Sequence, residues 1–409
     1  MPEKHLLLLT SEYPFGKGET FLENEVPILA EHFEKITILS LTETTMQTRE
    51  LPTVCEVYRS TVSLSKMEKI LALRFLLLRE VRAELKRVAS VYKLQVSLPI
   101  ISTILVSWES AKKIKSVIKK HINTDSITYS YWTDDAALAL AQLKIENPDF
   151  RCVSRFHGWD VYFEASAIGY LPFRKFINAN LDQQFAISEA GAKYARTRWE
   201  IDFPNKIAVS RLGTANQMER WSPKKIFNEQ RLFVSCSNVI PLKRVELIFE
   251  VLNALTKNTI RWVHFGDGQN LAALEEKIAL EKESHFTVEL RGRVLNEEVL
   301  AFYKQESPDF FINLSTSEGI PVSIMEAFSL GIPVIATAVG GSPEIVSDHV
   351  GTLVDPNAPA EEIQMILINL LSKPLSDWNL LSEKAYEVWK NQYNAETNFT
   401  SFAKALKEI

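Results

Sequence analysis

Two successive series of short apolar runs, each run followed by a stretch of helical periodicity, constrain this chain more than any other feature. The first series is His5 to Thr10, Lys35 to Leu41, Ser126 to Tyr131, Arg151 to Phe156 and Gln184 to Ser188. The second is Leu232 to Ser237, Ile260 to Phe265, Phe286 to Leu290, Asp309 to Leu314, Ile332 to Ala336 and Gly351 to Val354. Strands that alternate with helices lie parallel and are buried on both faces, because the helical crossovers cover the sheet. The pattern occurs twice, so the expected class is α/β with two Rossmann-like, doubly wound parallel-sheet domains. Their ligands should sit at the carboxyl ends of the strands, in a central cleft that the two sheets face.

Periodicity fails between Asp202 and Asn228, where Pro204, Gly213 and Pro223 interrupt it. This predicts an N-terminal domain over residues 1–205 and a C-terminal domain over 206–380. A last helix, about Ser382 to Leu406 within 381–409, carries Tyr386, Trp389, Tyr393 and Phe399 as aromatic anchors.

The 409 residues are 46% apolar, enough for two ordinary cores. Cys55, Cys152 and Cys236 are far apart and lie in strand-like runs, which argues against a disulfide framework or a zinc site and for a reducing cytoplasm. The opening MPEKHLLLLT passes from four leucines straight into a polar turn and reads as a buried strand, too short for a signal sequence. The uncharged span Leu94 to Trp108 is 15 residues and contains Pro99, short of the ~20 that cross a bilayer.

Net charge is −5, but it is unevenly placed: Lys66 to Lys120 holds thirteen Lys/Arg against four Asp/Glu. Within it, Lys69 to Val88 combines basic residues with an apolar stripe of Ile70, Leu71, Leu77, Leu78, Val81, Leu85 and Val88. That suits a basic amphipathic helix on an anionic membrane surface, and equally a core helix with a solvated basic face. Nucleic acid is not expected, since aromatic residues are not interleaved with the basic ones at stacking spacing.

The run STSEGIPVSIMEAFSLG, Ser315 to Gly331, carries the chemistry. It reads as the turn after a buried strand and a helix from Pro321 onward, which leaves the amides of Gly319, Ile320, Pro321's neighbour Val322, and Ser323 free to meet anions. Glu326, flanked by apolar residues, should be half buried and in need of hydrogen-bond donors such as a ribose diol. Glu318 at the loop end could hold hexose hydroxyls. A lone carboxylate of either kind also pairs readily with arginine or backbone.

Glu318-x7-Glu326, inside SEGIPVSIMEAFSLGIPVIATAVGGSPEIV, resembles the E-x7-E signature of the retaining glycosyltransferases of GT-B fold, family 4 (glycosyl transferases group 1). LLLLTSEYPFGKGETF, FHGWD, PLKRVELIFEVL, HFGDGQN and RGRV match the family in order, so the resemblance spans most of the chain. It implies transfer of a hexose from a nucleoside-diphosphate sugar to a growing, lipid-linked glycan at the inner face of the cell membrane, with retention by front-face attack. The last segment would cross back to the first domain.

By the same resemblance Lys243 and Arg244 meet the donor diphosphate, although the family's arginine five residues before the lysine is here Asn238. Two solvated cations neutralised by Glu246 and Glu250 are the plainer explanation. Either Arg244 supplies the missing charge or the pyrophosphate clamp is weaker. Gly16 and Gly18, in the turn after the first strand, bring amides toward the phosphates. His157 in FHGWD orients the hexose, and Arg291 to Val294 border the base.

Catalysis thus falls to His157, Glu318 and Lys243, and donor binding to Gly16, Gly18, Asn238, Arg244, Gly319, Ile320, Pro321, Val322 and Glu326. No cofactor or metal is called for, since no D-x-D stands in a suitable loop, and Asp134-Asp135 reads as a capping or solvated pair. Two other classes compete: a non-catalytic subunit that binds nucleotide or glycan, suggested by Asn238, and a dinucleotide oxidoreductase. The latter lacks a strand-linked G-x-G-x-x-G.

Overall fold

The computed structural model describes residues 5–44, 46–122, 125–215, 218 and 220–409. The chain forms two compact units, Met1–Leu212 with Glu396–Ile409, and Gly213–Ala395.

In the first unit seven parallel strands, β1 (His5–Thr10), β2 (Lys35–Ser40), β3 (Cys55–Arg59), β4 (Ser126–Ser130), β5 (Arg151–Phe156), β6 (Gln183–Ala186) and β7 (Ile207–Val209), run in the order β3-β2-β1-β4-β5-β6-β7. In the second, β8 (Arg231–Cys236), β9 (Ile260–Phe265), β10 (Phe286–Leu290), β11 (Phe310–Asn313), β12 (Val334–Thr337) and β13 (Gly351–Val354) run in the order β10-β9-β8-β11-β12-β13. Side chains alternate faces along a strand, so Leu7 and Leu9 pack into one helical layer with Val81, Ile104 and Phe156. Leu6 and Leu8 pack into the other with Val26, Ile36 and Phe402.

Two edge strands escape the sequence pattern. β3 (CEVYR) is half exposed and largely polar, and β7 is three residues long. β7 pairs with β6 and draws the division between the units past residue 205, to Leu212. The single helix expected over Ser382 to Leu406 is three pieces: Leu375–Val388, a π-helical turn Trp389–Tyr393, and Ala395–Lys407. The first buries Trp378 in the core of the second unit, so only Glu396 onward joins the first. There Phe402 lies edge-on to Tyr129 and Phe185, at 5.1 and 5.0 Å between centroids, with the Arg155 guanidinium 3.9 Å from its centroid.

The basic segment also differs from expectation. A helix Lys66–Leu71, capped by Ser65, gives way to a 3-10 turn Ala72–Leu77. Leu78 is extended, and a second helix, Arg79–Ser90, follows. The break splits the apolar stripe: Val81 and Val88 are core, whereas Met67, Ile70 and Leu77 are 64, 61 and 83% exposed. Leu71, Leu73 and Leu76 are exposed beside them. Among the described residues no helix is long and apolar enough to cross a membrane.

Each sheet reverses its winding once, between β1 and β4 and between β8 and β11. In an open parallel sheet the loops leaving such a pair of strands diverge and open a crevice at their carboxyl ends.

Candidate active site

At the β8/β11 reversal two loops meet. The one after β8 forms a 3-10 turn, Pro241–Lys243, and Thr316 of the other donates its amide to the Leu242 carbonyl at 2.8 Å. Lys243 Nζ lies 2.6 Å from Glu318 Oε1, with the lysine side chain 21% and the carboxylate 9% exposed. Asn313, the last residue of β11, donates Nδ2 to the same oxygen at 3.0 Å. Its own Oδ1 accepts the Ser315 amide and hydroxyl at 3.0 and 2.6 Å. Glu246 and Glu250, the alternative partners for Lys243, bind Lys277 instead.

The helix Val322–Ser329 begins just after this turn, with Pro321 at its N-cap. The amides of Gly319, Ile320, Val322 and Ser323 donate to no protein acceptor among the described residues. They therefore form an anion-seeking helix start beside Lys243 and Glu318. Gly340 closes the turn from behind. Its φ is +53°, and a Cβ there would lie 1.7 Å from the Glu318 carbonyl oxygen. Gly341 donates its amide to the Gly319 carbonyl at 2.8 Å. Gly341 also caps the next short helix, Ser342–Ile345.

Glu326 stands just over one turn into that helix and is 8% exposed. Asn296 Nδ2 donates to its Oε1 at 2.8 Å. Burial pushes its carboxyl up to about 7, against the smaller downward effect of the Asn296 hydrogen bond. It is a half-satisfied carboxylate awaiting further donors.

Arg244 does not extend beside Lys243. Its backbone is left-handed at φ 47°. Its guanidinium donates to the carbonyls of Leu314, at 2.5 Å, and Pro356, at 2.9 Å. It braces two loops with these donors, while its Nη2 is buried and has no hydrogen-bond partner among the described residues; Asn238 is exposed.

In the first unit the amides of Gly16 and Gly18 are already engaged. Gly16 donates to the Glu12 carbonyl at 3.3 Å, and Gly18 to the Glu12 carboxylate at 3.3 Å. Arg49 covers the carbonyls of both glycines. The turn thus presents a carboxylate where the sequence suggested bare amides. Glu19 accepts the amides of Ser11, Glu12 and Tyr13 at 2.7–2.8 Å.

His157 follows β5. Asp160 fixes its loop, its carboxylate accepting the amides of His157 and Gly158 on one oxygen and of Thr133 on the other, at 2.8, 3.1 and 3.0 Å. The imidazole lies against Tyr131 and Trp132, with centroids 4.3 and 4.6 Å away. Its two ring nitrogens are buried and have no hydrogen-bond partner among the described residues. Burial, helped by the Arg155 charge, holds it well below the usual histidine range, so the ring is neutral. Asp134 is a helix cap for Ala136, and burial beside Asp135 pushes it up to about 7.

The sequence reading missed Asn296 and Asn313. The only trace of Asn313 is one polar residue closing the apolar run DFFINL; Asn296 is distant in sequence from the carboxylate it serves. Exposed Arg291, one residue past β10, binds Glu289 of that strand.

The fold is the GT-B fold of glycosyltransferases. The lipopolysaccharide outer core galactosyltransferase WaaB superposes with a TM-score of 0.68 at 15% identity, over 99% of each chain. Anabaena Alr3699/HepE, solved in complex with UDP, superposes at 0.66 and 15%, over 99% of this chain and all of the other. In sequence, residues 217–390 match the model of glycosyl transferases group 1. The O-antigen biosynthesis glycosyltransferase WbnH of Escherichia coli is 26% identical over 245 residues, 59% of this chain and 66% of the relative. The putative colanic acid biosynthesis glycosyltransferase WcaL of Escherichia coli K12 is 30% identical over 217 residues, 49% and 51% of the two chains. The matched stretches thus span between about half and just under two thirds of these relatives' lengths.

Proposed function

We propose that the protein is a retaining glycosyltransferase of family 4 that moves a hexose from a nucleoside-diphosphate sugar to a hydroxyl of a growing, lipid-linked glycan in cell-surface polysaccharide synthesis. The observation that carries this reading is the meeting of Lys243, Glu318 and Asn313 with the unpaired amides of Gly319 to Ser323 at the β8/β11 reversal. The UDP complex of the Anabaena neighbour and the names of the Escherichia coli relatives support it.

In this reading the diphosphate takes Lys243 and the helix start, the hexose hydroxyls take Glu318, and the ribose diol takes Glu326. As the anomeric bond lengthens, charge growing on the leaving phosphate is met by a fixed cation and aligned amides. The acceptor hydroxyl attacks from the same face and yields its proton to the departing phosphate oxygen. Neutral His157 orients a hexose hydroxyl. Lys243 and the helix dipole supply the neutralisation otherwise given by a metal. Gly16 and Gly18 reach a phosphate only once Glu12 swings away.

The segment 66–120 gives the same protein a place at the inner face of a membrane. Basic side chains border the exposed Met67, Ile70, Leu73 and Leu77, the combination that binds anionic lipid.

A second reading, a non-catalytic subunit, is favoured by Asn238 and by the turning of Arg244 onto carbonyls. The anomeric configuration of the first product formed by the isolated chain, read by proton NMR, tests the two. A retained anomer supports the enzyme; an inverted one removes the retaining mechanism, and no product from any donor leaves the subunit reading.

A further inference from the structure

The loop that carries His157 runs from the end of β5 at Phe156 to the helix Arg174–Asn180 and contains one 3-10 turn, Phe163–Ala165. A long connection with so little regular structure takes its shape from what it touches. At its near end Asp160 gathers the His157 and Gly158 amides. In its middle the Trp199 indole donates to the Val161 carbonyl, and the Phe163 amide to the Tyr194 hydroxyl, both at 3.0 Å. Its far end is held by the basic segment. Glu84, on the helix Arg79–Ser90, accepts the Tyr170 hydroxyl and the Phe173 amide on one oxygen. Its other oxygen takes Arg87 Nη1 at 2.9 Å, and the side chain is 3% exposed. Tyr92, just past the same helix, packs edge-on to Phe163 and donates its hydroxyl to the Trp199 carbonyl at 3.0 Å.

Glu84 grips the loop at a strained residue. Phe173 has a left-handed backbone, φ 61° and ψ 17°, which an aromatic residue adopts only where its surroundings impose it. Phe173 is the cap of the helix that Arg174 begins, so its conformation aims Arg174. Buried Arg174 in turn donates Nη2 to the Asp160 carbonyl at 2.9 Å. The contacts thus run without a gap from Glu84 to Phe173, Arg174, Asp160 and the His157 amide. An apolar side chain would suit this core position of the helix better than a carboxylate. The acid at position 84 serves the loop.

We propose that Glu84 is a positioning residue for His157: from the buried side of the basic segment it holds Phe173 in its left-handed conformation, and through Arg174 and Asp160 it sets where the imidazole stands. The proposal rests on the glycosyltransferase reading for its effect on transfer, and on the first unit's own hydrogen bonds for the position.

Two readouts on the full chain test it, one of them without turnover. The first is the proton-carbon NMR spectrum of histidine-labelled protein. The His157 ring, against Tyr131 and Trp132, should give ring-current-shifted signals, identified by their loss in His157→Gln. Glu84→Leu should move those signals, and Tyr170→Phe, which takes one donor from the carboxylate, should move them the same way by less. The second readout is donor hydrolysis. Glu84→Leu should lower kcat about tenfold and leave the donor KM within about twofold, as a misplaced group does and a lost binding contact does not. Glu84→Gln keeps an acceptor oxygen for both donors and should restore most of the rate. Val88→Ala truncates the core face of the same helix without removing a hydrogen bond, so it should lower the melting temperature and leave both readouts unchanged. Unmoved His157 signals in Glu84→Leu, or in Tyr170→Phe should the first variant not fold, would overturn the proposal. So would a loss of kcat equalled by Val88→Ala. Signals that move in a protein that hydrolyses no donor leave the positioning and sink the enzyme reading; hydrolysis with unmoved signals sinks the positioning alone.

Discussion

Lys243 Nζ lies 2.6 Å from Glu318 Oε1, and this one ion pair joins the loop after β8 to the loop after β11. On the proposed reading, the lysine that would meet a diphosphate is here neutralised by the carboxylate that would meet a hexose, so donor binding would exchange partners, lysine to phosphate and carboxylate to sugar hydroxyls. The exchange makes a test that plain loss of function does not. Glu318→Gln should release the lysine, tightening binding of the bare nucleoside diphosphate several-fold while lowering transfer. Lys243→Ala should lower turnover by about 10²–10³-fold, the scale of losing one preorganised charge partner in a transition state. Calorimetry on the diphosphate and initial rates with the donor sugar check the two halves.

Glu326 ties stability to pH and, on the proposed reading, nucleotide binding as well. Its carboxyl is raised from about 4.5 to about 7 by burial. Between those values the folded chain holds a proton that the unfolded chain has released, so the group's contribution to stability falls as pH rises and levels off above about 7. Glu326→Gln should flatten that part of the profile, by up to about 3 kcal/mol between pH 4.5 and 7.5. Urea melts of both proteins at several pH values measure it. A ribose diol prefers the ionised carboxylate, so wild-type nucleotide affinity should rise through pH 7 and that of Glu326→Gln should not.

Gly340 holds the Glu318 turn through contact with its backbone. Alanine there brings both a left-handed φ of +53° and a Cβ 1.7 Å from the Glu318 carbonyl oxygen, so the turn must move. Gly340→Ala should lower the melting temperature and cut transfer at least tenfold. Gly158→Ala, where a Cβ meets nothing within 4 Å, should melt like the wild type and serves as the stability comparison.

How much was legible follows from what each residue answers to. The buried central strands obey local pattern, and Leu6 to Leu9 announce β1 without help. β3 and β7 do not, because an edge strand is defined by the neighbour it pairs with. Glu318, Glu326 and Lys243 could be named from sequence, since each sits at a fixed offset from a turn or helix start. Their partners could not: Asn296 reaches Glu326 across 30 residues, and Asn313 is chosen by the turn it closes. That Arg244 braces two loop carbonyls could not be read either, because its left-handed backbone is a single φ angle that leaves no trace in composition. The split at Leu78, where ψ opens to 139° while φ stays at −70°, turned half of an apparent core stripe outward.

That outward half predicts membrane behaviour. The full chain should sediment with vesicles containing phosphatidylglycerol at low salt and not with pure phosphatidylcholine vesicles, as mixed apolar and electrostatic attachment requires. Replacing Ile70, Leu73 and Leu77 together by serine should release it while leaving donor hydrolysis in solution intact. Equal binding to both vesicle types would remove the electrostatic half of the attachment, and equal binding by the triple variant its apolar half.

The central claim is that the β8/β11 reversal binds and activates a nucleoside-diphosphate sugar. The direct measurement is binding and hydrolysis across UDP-, GDP-, ADP- and dTDP-sugars with the purified chain, beside Glu326→Ala. The account predicts that one donor is bound and slowly hydrolysed, and that both properties fall together in the variant. No binding to any of the donors, or a donor turned over equally well without Glu326, would contradict it.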